Sequence, residues 1–185
     1  QMPRLYESYE VVGTVKPDAA QRLGISADVK VVAGAGDNAA AAVGTGVVGE
    51  GGCNISLGTS GTVFISSKKF GMDPNNALHA FAHADGGWHL MGCMLSAASC
   101  NKWLCDDILK TTDYAAEQQD ITPEKLGRNH VYFLPYLMGE RSPINDTNAR
   151  GTFIGMTMDT TRSDLVQAVL EGVAFAIRDS FEVAR

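Results

Sequence analysis

The spacing of apolar residues changes period several times along the chain, and each change marks a predicted element. Near the C-terminal end, Leu165, Ala168, Val169, Gly172, Val173, Ala176 and Ile177 recur at helical spacing. Thr161 and Asp164 stand before them as a capping box, so a helix is predicted from this point on. Residues 54–57 and 62–66 are β-prone runs separated by Gly58-Thr59-Ser60-Gly61, which reads as a hairpin. Residues 77–84 and 88–93 read as a second hairpin, turning at Asp85-Gly86-Gly87. Residues 96–109, carrying Trp103, Leu104 and Ile108, predict one helix; the polar stretch 111–129 predicts a solvated helix and loop. Residues 131–134 predict a short strand, and 135–150 a long loop rich in turn formers. Residues 1–28 read as strand and turns with a break at Pro17, and 29–33 as a short buried strand. The alanine run at 39–43 predicts a helix, and a glycine-rich connection fills 44–52.

Composition narrows the class. Hydrophobic residues make up 45% and charged residues 19%, enough for a packed core and too little charge for a disordered chain. The net charge of −6 lacks the basic excess of a nucleic-acid binder, so no nucleic-acid partner is expected. No apolar run approaches the roughly 18 residues of a membrane span, so no membrane partner is expected either. Cys53, Cys93, Cys100 and Cys105 form no C-x-x-C pair. They predict free, mostly buried thiols in a reducing compartment, and hence a cytoplasmic protein. The sequence opens on Gln1, and no helix stop follows the last periodic residues, so we expect a piece of a longer protein.

Two glycine loops carry the candidate chemistry. Gly34-x-Gly36-x-x-Ala39 follows a predicted strand and opens a helix, the pattern of a dinucleotide fingerprint. One reading is therefore a NAD-dependent dehydrogenase. Asp37 opposes it, because a carboxylate at the helix N-terminus repels a pyrophosphate and competes for the same N–H groups. In a second reading Asp37 is itself the working group, exposed at the mouth of a cleft and kept ionised by the helix end. In a third, Asp37 or Asn38 only caps the helix. The second loop, Ser56-Leu57-Gly58-Thr59-Ser60-Gly61-Thr62, offers backbone N–H groups without bulk, as an anion-binding nest does. It reads equally as an ordinary hairpin turn. It is no P-loop, lacking the lysine and the following helix.

These stretches together resemble the FGGY family of carbohydrate kinases. Val32-Ala33-Gly34-Ala35-Gly36-Asp37-Asn38-Ala39-Ala40 and Ser56-Leu57-Gly58-Thr59-Ser60-Gly61 carry the resemblance first. His89-Leu90-Met91-Gly92, Leu95-Ser96-Ala97-Ala98-Ser99-Cys100 and Trp103-Leu104 agree with it. So does Phe133-Leu134-Pro135-Tyr136-Leu137-Met138-Gly139-Glu140-Arg141-Ser142-Pro143, with Asp146 and Ala149-Arg150-Gly151 beyond. The family's C-terminal signature follows: Gly151-x-Phe153-x-Gly155-Met156, seven residues, then Asp164-Leu165-x-x-Ala168-Val169-Leu170-Glu171. The wording is closest to the branch acting on D-xylulose.

The resemblance implies an α/β chain of the actin-like ATPase, ribonuclease H-like fold. It places residues 1–50 at the tail of a first domain and 51–185 at the front of a second, with the active site in the cleft between them. Each domain is expected to be a mixed sheet with helices on both faces. Asp37 is implied as catalytic base and as a water-mediated magnesium ligand, and Asn38 as a sugar contact. Gly58, Thr59 and Ser60 are implied to hold nucleotide phosphates, with Ala98 and Lys102 near the nucleotide. ATP and Mg2+ are the implied co-reactants, a sugar and ATP the implied partners, and a homodimer an expected assembly. A non-catalytic actin-like nucleotide-binding module stands as the alternative, though it needs no base at the cleft. The stretch alone is expected to be inactive, since much of the family's site lies in parts of the pattern it lacks. Ala35 departs from the usual Gly-Gly-Gly-Asp-Asn wording. Outside these motifs, His79, His83 and His89 could gather as a zinc site or form a polar strand face. Glu140-Arg141 reads as a loop anchor, and Trp88 and Trp103 as packing residues. Asp106-Asp107 and the acids at 113–124 read as a solvated face.

Overall fold

The computed structural model describes residues 2–184. A two-stranded antiparallel ribbon comes first, β1 (Val11–Thr14) pairing with β2 (Lys30–Val32). The apolar run at 29–33 predicts a buried strand, yet Val31 and Val32 are 40% and 49% exposed. Among the described residues β2 pairs with β1 alone, in a two-stranded sheet apart from the main one. Between the two strands stands a helix that the sequence reading missed, α1 (Pro17–Leu23). Pro17 opens it rather than breaking the chain, because the first helical turn needs no proline N–H. Asp18 sits in its first turn, Arg22 in its last, and the Gly24 amide bonds back to Ala20 and Gln21.

Next comes α2 (Asp37–Gly44), which begins at Asp37 rather than at the alanines. The main sheet is antiparallel throughout: β3 (Cys53–Leu57), β4 (Gly61–Ser67), β5 (His79–Ala82) and β6 (Trp88–Met94) lie in the order β3-β4-β6-β5. Both predicted hairpins are present. The central strand β4 buries Val63 and Phe64 almost completely. The helix predicted over 96–109 is divided into α3 (Ala98–Lys102) and a wide π turn, Trp103–Ile108. The widened turn lets Cys100, Leu104 and Cys105 all face the core, at residue spacings of four and five. The polar stretch holds α4 (Tyr114–Gln118) and a 3-10 turn, Pro123–Lys125. β7 (Tyr132–Leu134) pairs with β8 (Thr152–Ile154), a strand not anticipated.

The long helix α5 (Arg162–Ala184) closes the described chain. Its capping box forms as expected, with the Thr161 amide on the Asp164 carboxylate at 2.8 Å and the Asp164 amide on the Thr161 hydroxyl at 3.2 Å. One core cluster gathers Cys100, Leu104, Val131, Phe133, Val166, Ala168 and Val169; the other gathers Val63, Met94, Ala97, Ala176 and Ile177. α5 contributes to both, and Val173 packs against each. Arg162 fastens its first turn to α4 through two bonds to Glu117, at 2.5 and 2.7 Å. Of the cysteines only Cys100 and Cys105 are buried; Cys53 is exposed and Cys93 half-buried. Trp103 stacks on Phe133, and Trp88 meets Phe70 edge-on at the surface. Among the described residues no helix is long and apolar enough to cross a membrane.

Where α5 crosses β7, a Cβ at Gly172 would lie 2.2 Å from the Phe133 carbonyl oxygen. Neither backbone can yield without moving a whole element. Gly172→Ala is therefore expected to lower the free energy of unfolding by about 1–3 kcal/mol, as overpacking does, despite alanine's better helix propensity. Urea denaturation of the two proteins measures it; an unchanged midpoint would mean the helix and strand separate freely.

Candidate active site

Asp37 is the first residue of α2, after the extended Gly36, and its side chain is exposed. The carboxylate has no hydrogen-bond partner among the described residues, and it caps nothing. It lines a pocket of about 380 Å³ with Gly36, Asn38 and Ala39 on one wall and Phe81, Ala82, His89 and Met91 on the other. Asn38 is half-buried, and its side-chain oxygen accepts a long bond, 3.5 Å, from the Thr62 hydroxyl of β4. Ala35 is not among the residues of positive φ, so alanine in place of glycine meets no left-handed strain there.

Gly58, Thr59 and Ser60 form the turn between β3 and β4, and all three are exposed. The turn's carbonyl groups are spoken for. Thr59 accepts from the Ala97 amide at 2.9 Å and the Ser99 hydroxyl at 2.7 Å, and Gly58 accepts from the Ala98 amide at 2.9 Å. The Gly58 amide is used too, donating to Ser60 at 3.0 Å. That leaves the amides of Thr59 and Ser60 as the turn's unengaged backbone donors among the described residues, beside their two hydroxyls, a narrower backbone cradle than the sequence implies. Three of the sequence candidates meet in one place: Thr59, Ala98 and Lys102 line a pocket of about 570 Å³ with Ser99, Asn101 and Tyr114. Gly58 and Ser60 stand outside its lining. The Lys102 ammonium is paired with Asp106, whose other oxygen accepts from the Tyr114 hydroxyl at 2.6 Å. Asp106 is thus no simple solvated acid. The hydrogen bonds from Lys102 and Tyr114 hold its carboxyl below the usual range.

The histidines form neither a zinc site nor an exposed polar face. Among the described residues no three His, Cys, Asp or Glu side chains are grouped to hold a metal. His83 and His89 are buried against Phe64, His89 stacked at 3.9 Å and His83 edge-on at 5.0 Å. Of these three only His79 is exposed. Nothing in the hairpin pattern distinguished them, because burial here comes from a phenylalanine on a neighbouring strand. Burial pushes His89 down to about 4, the nearby His83 adds to it, and its Nδ1 has no partner. Glu140 is the anchor expected of it: buried, it accepts from the Leu95 amide at 2.8 Å and the Arg141 amide at 2.7 Å. Burial raises its carboxyl above the ordinary value, against those two bonds.

Residues 53–184 match the C-terminal domain of the FGGY family of carbohydrate kinases, and residues 1–44 its N-terminal domain. The chain belongs to the FGGY family. It is 45% identical to the xylulose kinase of Escherichia coli (strain K12), over 99% of its own length and 38% of that protein's. A Brucella ovis crystal structure, described as a xyloylose kinase, superposes with a TM-score of 0.90 at 45% identity, over 100% of this chain and 38% of that one. A gluconate kinase from Lactobacillus acidophilus superposes with a TM-score of 0.86 at 28% identity, over 98% of this chain and 37% of that one. The sequence therefore spans well under half the length of its FGGY relatives. The α/β, actin-like ATPase fold implied by the sequence is the fold of these FGGY structures.

His89 makes the structure sensitive to acid. Unfolded, its imidazole takes a proton near pH 6.5; folded, not until about 4. Between those values the unfolded chain binds more protons, so this stability is complete above about pH 6.5 and is lost as pH falls through about 4. His89→Phe keeps a ring on Phe64 and removes the proton site. Urea titrations across that range are expected to show a shallower loss of stability in the variant; equal slopes would clear His89 of the effect.

Proposed function

We propose that the protein carrying this sequence transfers the terminal phosphoryl group of ATP to a sugar hydroxyl, D-xylulose giving D-xylulose 5-phosphate. Asp37 is the general base. Asn38 contacts the sugar. Gly58, Thr59 and Ser60 hold phosphates, and Ala98 and Lys102 border the nucleotide. Residues 1–50 belong to the first domain and 51–185 to the second, and this stretch alone is inactive. The observation that carries the reading is the unpartnered Asp37 carboxylate, opening on a pocket walled by β5 and by β6, the neighbour of the strand that emerges from the 58–60 turn. The Asn38–Thr62 bond ties the two together. FGGY membership supports sugar phosphorylation. The names of the Escherichia coli and Brucella ovis relatives favour xylulose. A gluconate kinase superposes nearly as well, with a TM-score of 0.86 against 0.90, so the sugar rests on those names and not on the fold.

The residue chemistry fits. Phosphoryl transfer runs through a loose transition state, so most of the catalysis is positioning and charge neutralisation. The attacking hydroxyl becomes acidic late, so an aspartate needs no raised pKa to take its proton. An exposed carboxylate at a helix start, with no internal partner to give up, can do this without rearrangement. The Thr59 and Ser60 amides would donate to phosphate oxygens. Mg2+ when bound supplies further neutralisation; it is commonly held by one or two carboxylates, water and substrate phosphates, and the free Asp37 carboxylate fits that donor set.

In the full-length protein, Asp37→Asn is expected to lower kcat for sugar-dependent ADP release by about 10²–10⁴-fold while the ATP Kd stays within about twofold. A coupled ADP assay across a sugar panel, with calorimetry for ATP, measures both. Turnover like that of the wild type would remove Asp37 as base. Release with another sugar alone would keep the mechanism and replace the substrate.

A further inference from the structure

We propose that His83 and Asp85, in the β5–β6 turn, are positioning residues that clamp the 45–52 connector and so fix Asp37 relative to the 58–60 turn. This deepens the kinase reading and rests on it.

The connector joins the stretch matching the family's N-terminal domain to the stretch matching its C-terminal domain. It has no regular structure, and Gly46, Gly49 and Gly51 take φ of +79°, +79° and +74°, which few other residues adopt. Such a segment has many available paths. One is selected by contacts from the main sheet.

His83 supplies the first. It is buried, and its Nδ1 accepts from the Ala84 amide at 2.9 Å. That acceptor role puts the hydrogen of the neutral ring on Nε2, which donates to the Val47 carbonyl at 3.0 Å. Asp85 supplies the second: one carboxylate oxygen accepts from the Gly49 amide at 2.8 Å, the other from the Gly87 amide at 2.8 Å. Burial opposes its charge, yet these amides outweigh it and hold the carboxyl below its usual value. The turn is itself braced, His83 bonding Gly87 at 2.9 Å, and a Cβ at Gly87 would lie 2.8 Å from the Ser67 carbonyl oxygen. Strand β4 grips the far end of the connector, the Gly51 amide on Ser66 at 2.9 Å and the Lys68 amide on Glu50 at 2.7 Å.

α2 depends on this clamp more than most helices would. Its only buried residues are Ala39 and Ala42, so side-chain packing holds it weakly. At its start the link to the sheet is the long Asn38–Thr62 bond. At its end Thr45, tied to Asn54 at 3.1 Å, leads directly into the connector. Loosening residues 47–49 therefore frees α2 to shift, and Asp37 moves with it. Proton abstraction is sensitive to shifts of an ångström, whereas nucleotide contacts at the Thr59–Ala98 pocket, none of whose lining residues lies on α2 or the connector, are not.

The test uses the full-length protein with His83→Phe, Asp85→Asn and His83→Gln, the last keeping an N–H for Val47. Amide exchange at 45–52, read by mass spectrometry, is expected to quicken about tenfold in His83→Phe and Asp85→Asn. In the same variants kcat for sugar phosphorylation falls about tenfold or more, with the ATP KM within about twofold. His83→Gln restores most of both. Unchanged exchange at 45–52, or faster exchange with kcat intact, overturns the proposal. So does a parallel loss in kcat and ATP affinity, the mark of general unfolding. If His83→Phe does not fold, Asp85→Asn and His83→Gln carry the same comparison. A wild-type protein without sugar-dependent ADP release would bring down the kinase reading and the catalytic role together; the exchange data would then show separately whether the turn holds the connector.

Discussion

From β4 onward the structure leans on one packing relation, the seating of α5 across two core clusters. Its first half closes on the Cys100–Leu104 face and on Phe133, its second on Val63, Met94 and Ala97. Fully burying such side chains is worth about 1.5–3 kcal/mol each, and they are distributed along one continuous helix. The helix thereby holds α3, β4 and β7 in a common frame. The 58–60 turn inherits its place from that frame, since its carbonyls bond the start of α3 and its C-terminal end runs into β4.

The elements legible in the sequence are those whose period is set by this core. α5 shows its buried stripe and its capping box, and the two hairpins show β-prone runs around small-residue turns. What was illegible has local causes. Pro17 reads as a break unless the asymmetry of helix starts is weighed, and Asp18, Arg22 and Gly24 were the available signal. β8 is three residues long and lies between Gly151 and Gly155, too short for a period to register. The π turn leaves no trace in spacing alone. β2 reads as buried because apolar residues imply a cover, yet among the described residues Val31 and Val32 stay 40% and 49% exposed.

The candidate site shows the same division. Asp37, Asn38 and the 58–60 turn are recognisable as motifs, because local backbone chemistry dictates them. Their number of working donors is not, because the turn's own bonds to α3 consume part of its capacity. The resemblance places Lys102 near the nucleotide but not its partners, an aspartate one turn on that is itself held by a tyrosine from another helix. His83 and His89 carry no sequence mark that separates them from an exposed strand face. Their burial is a property of Phe64 and of the sheet order.

The Lys102–Asp106 pair also shapes the electric field at the mouth of the Thr59–Ala98 pocket. A lone ammonium there would project a monopole, felt by a polyanion out to about a Debye length, roughly 8 Å at physiological ionic strength. Joined to a carboxylate, it projects a dipole, whose reach is shorter still. Long-range attraction then contributes little to encounter, and capture is left to contacts made at close range. Under the proposed function, entry of a phosphorylated ligand here would change in rate only slightly between dilute and concentrated salt.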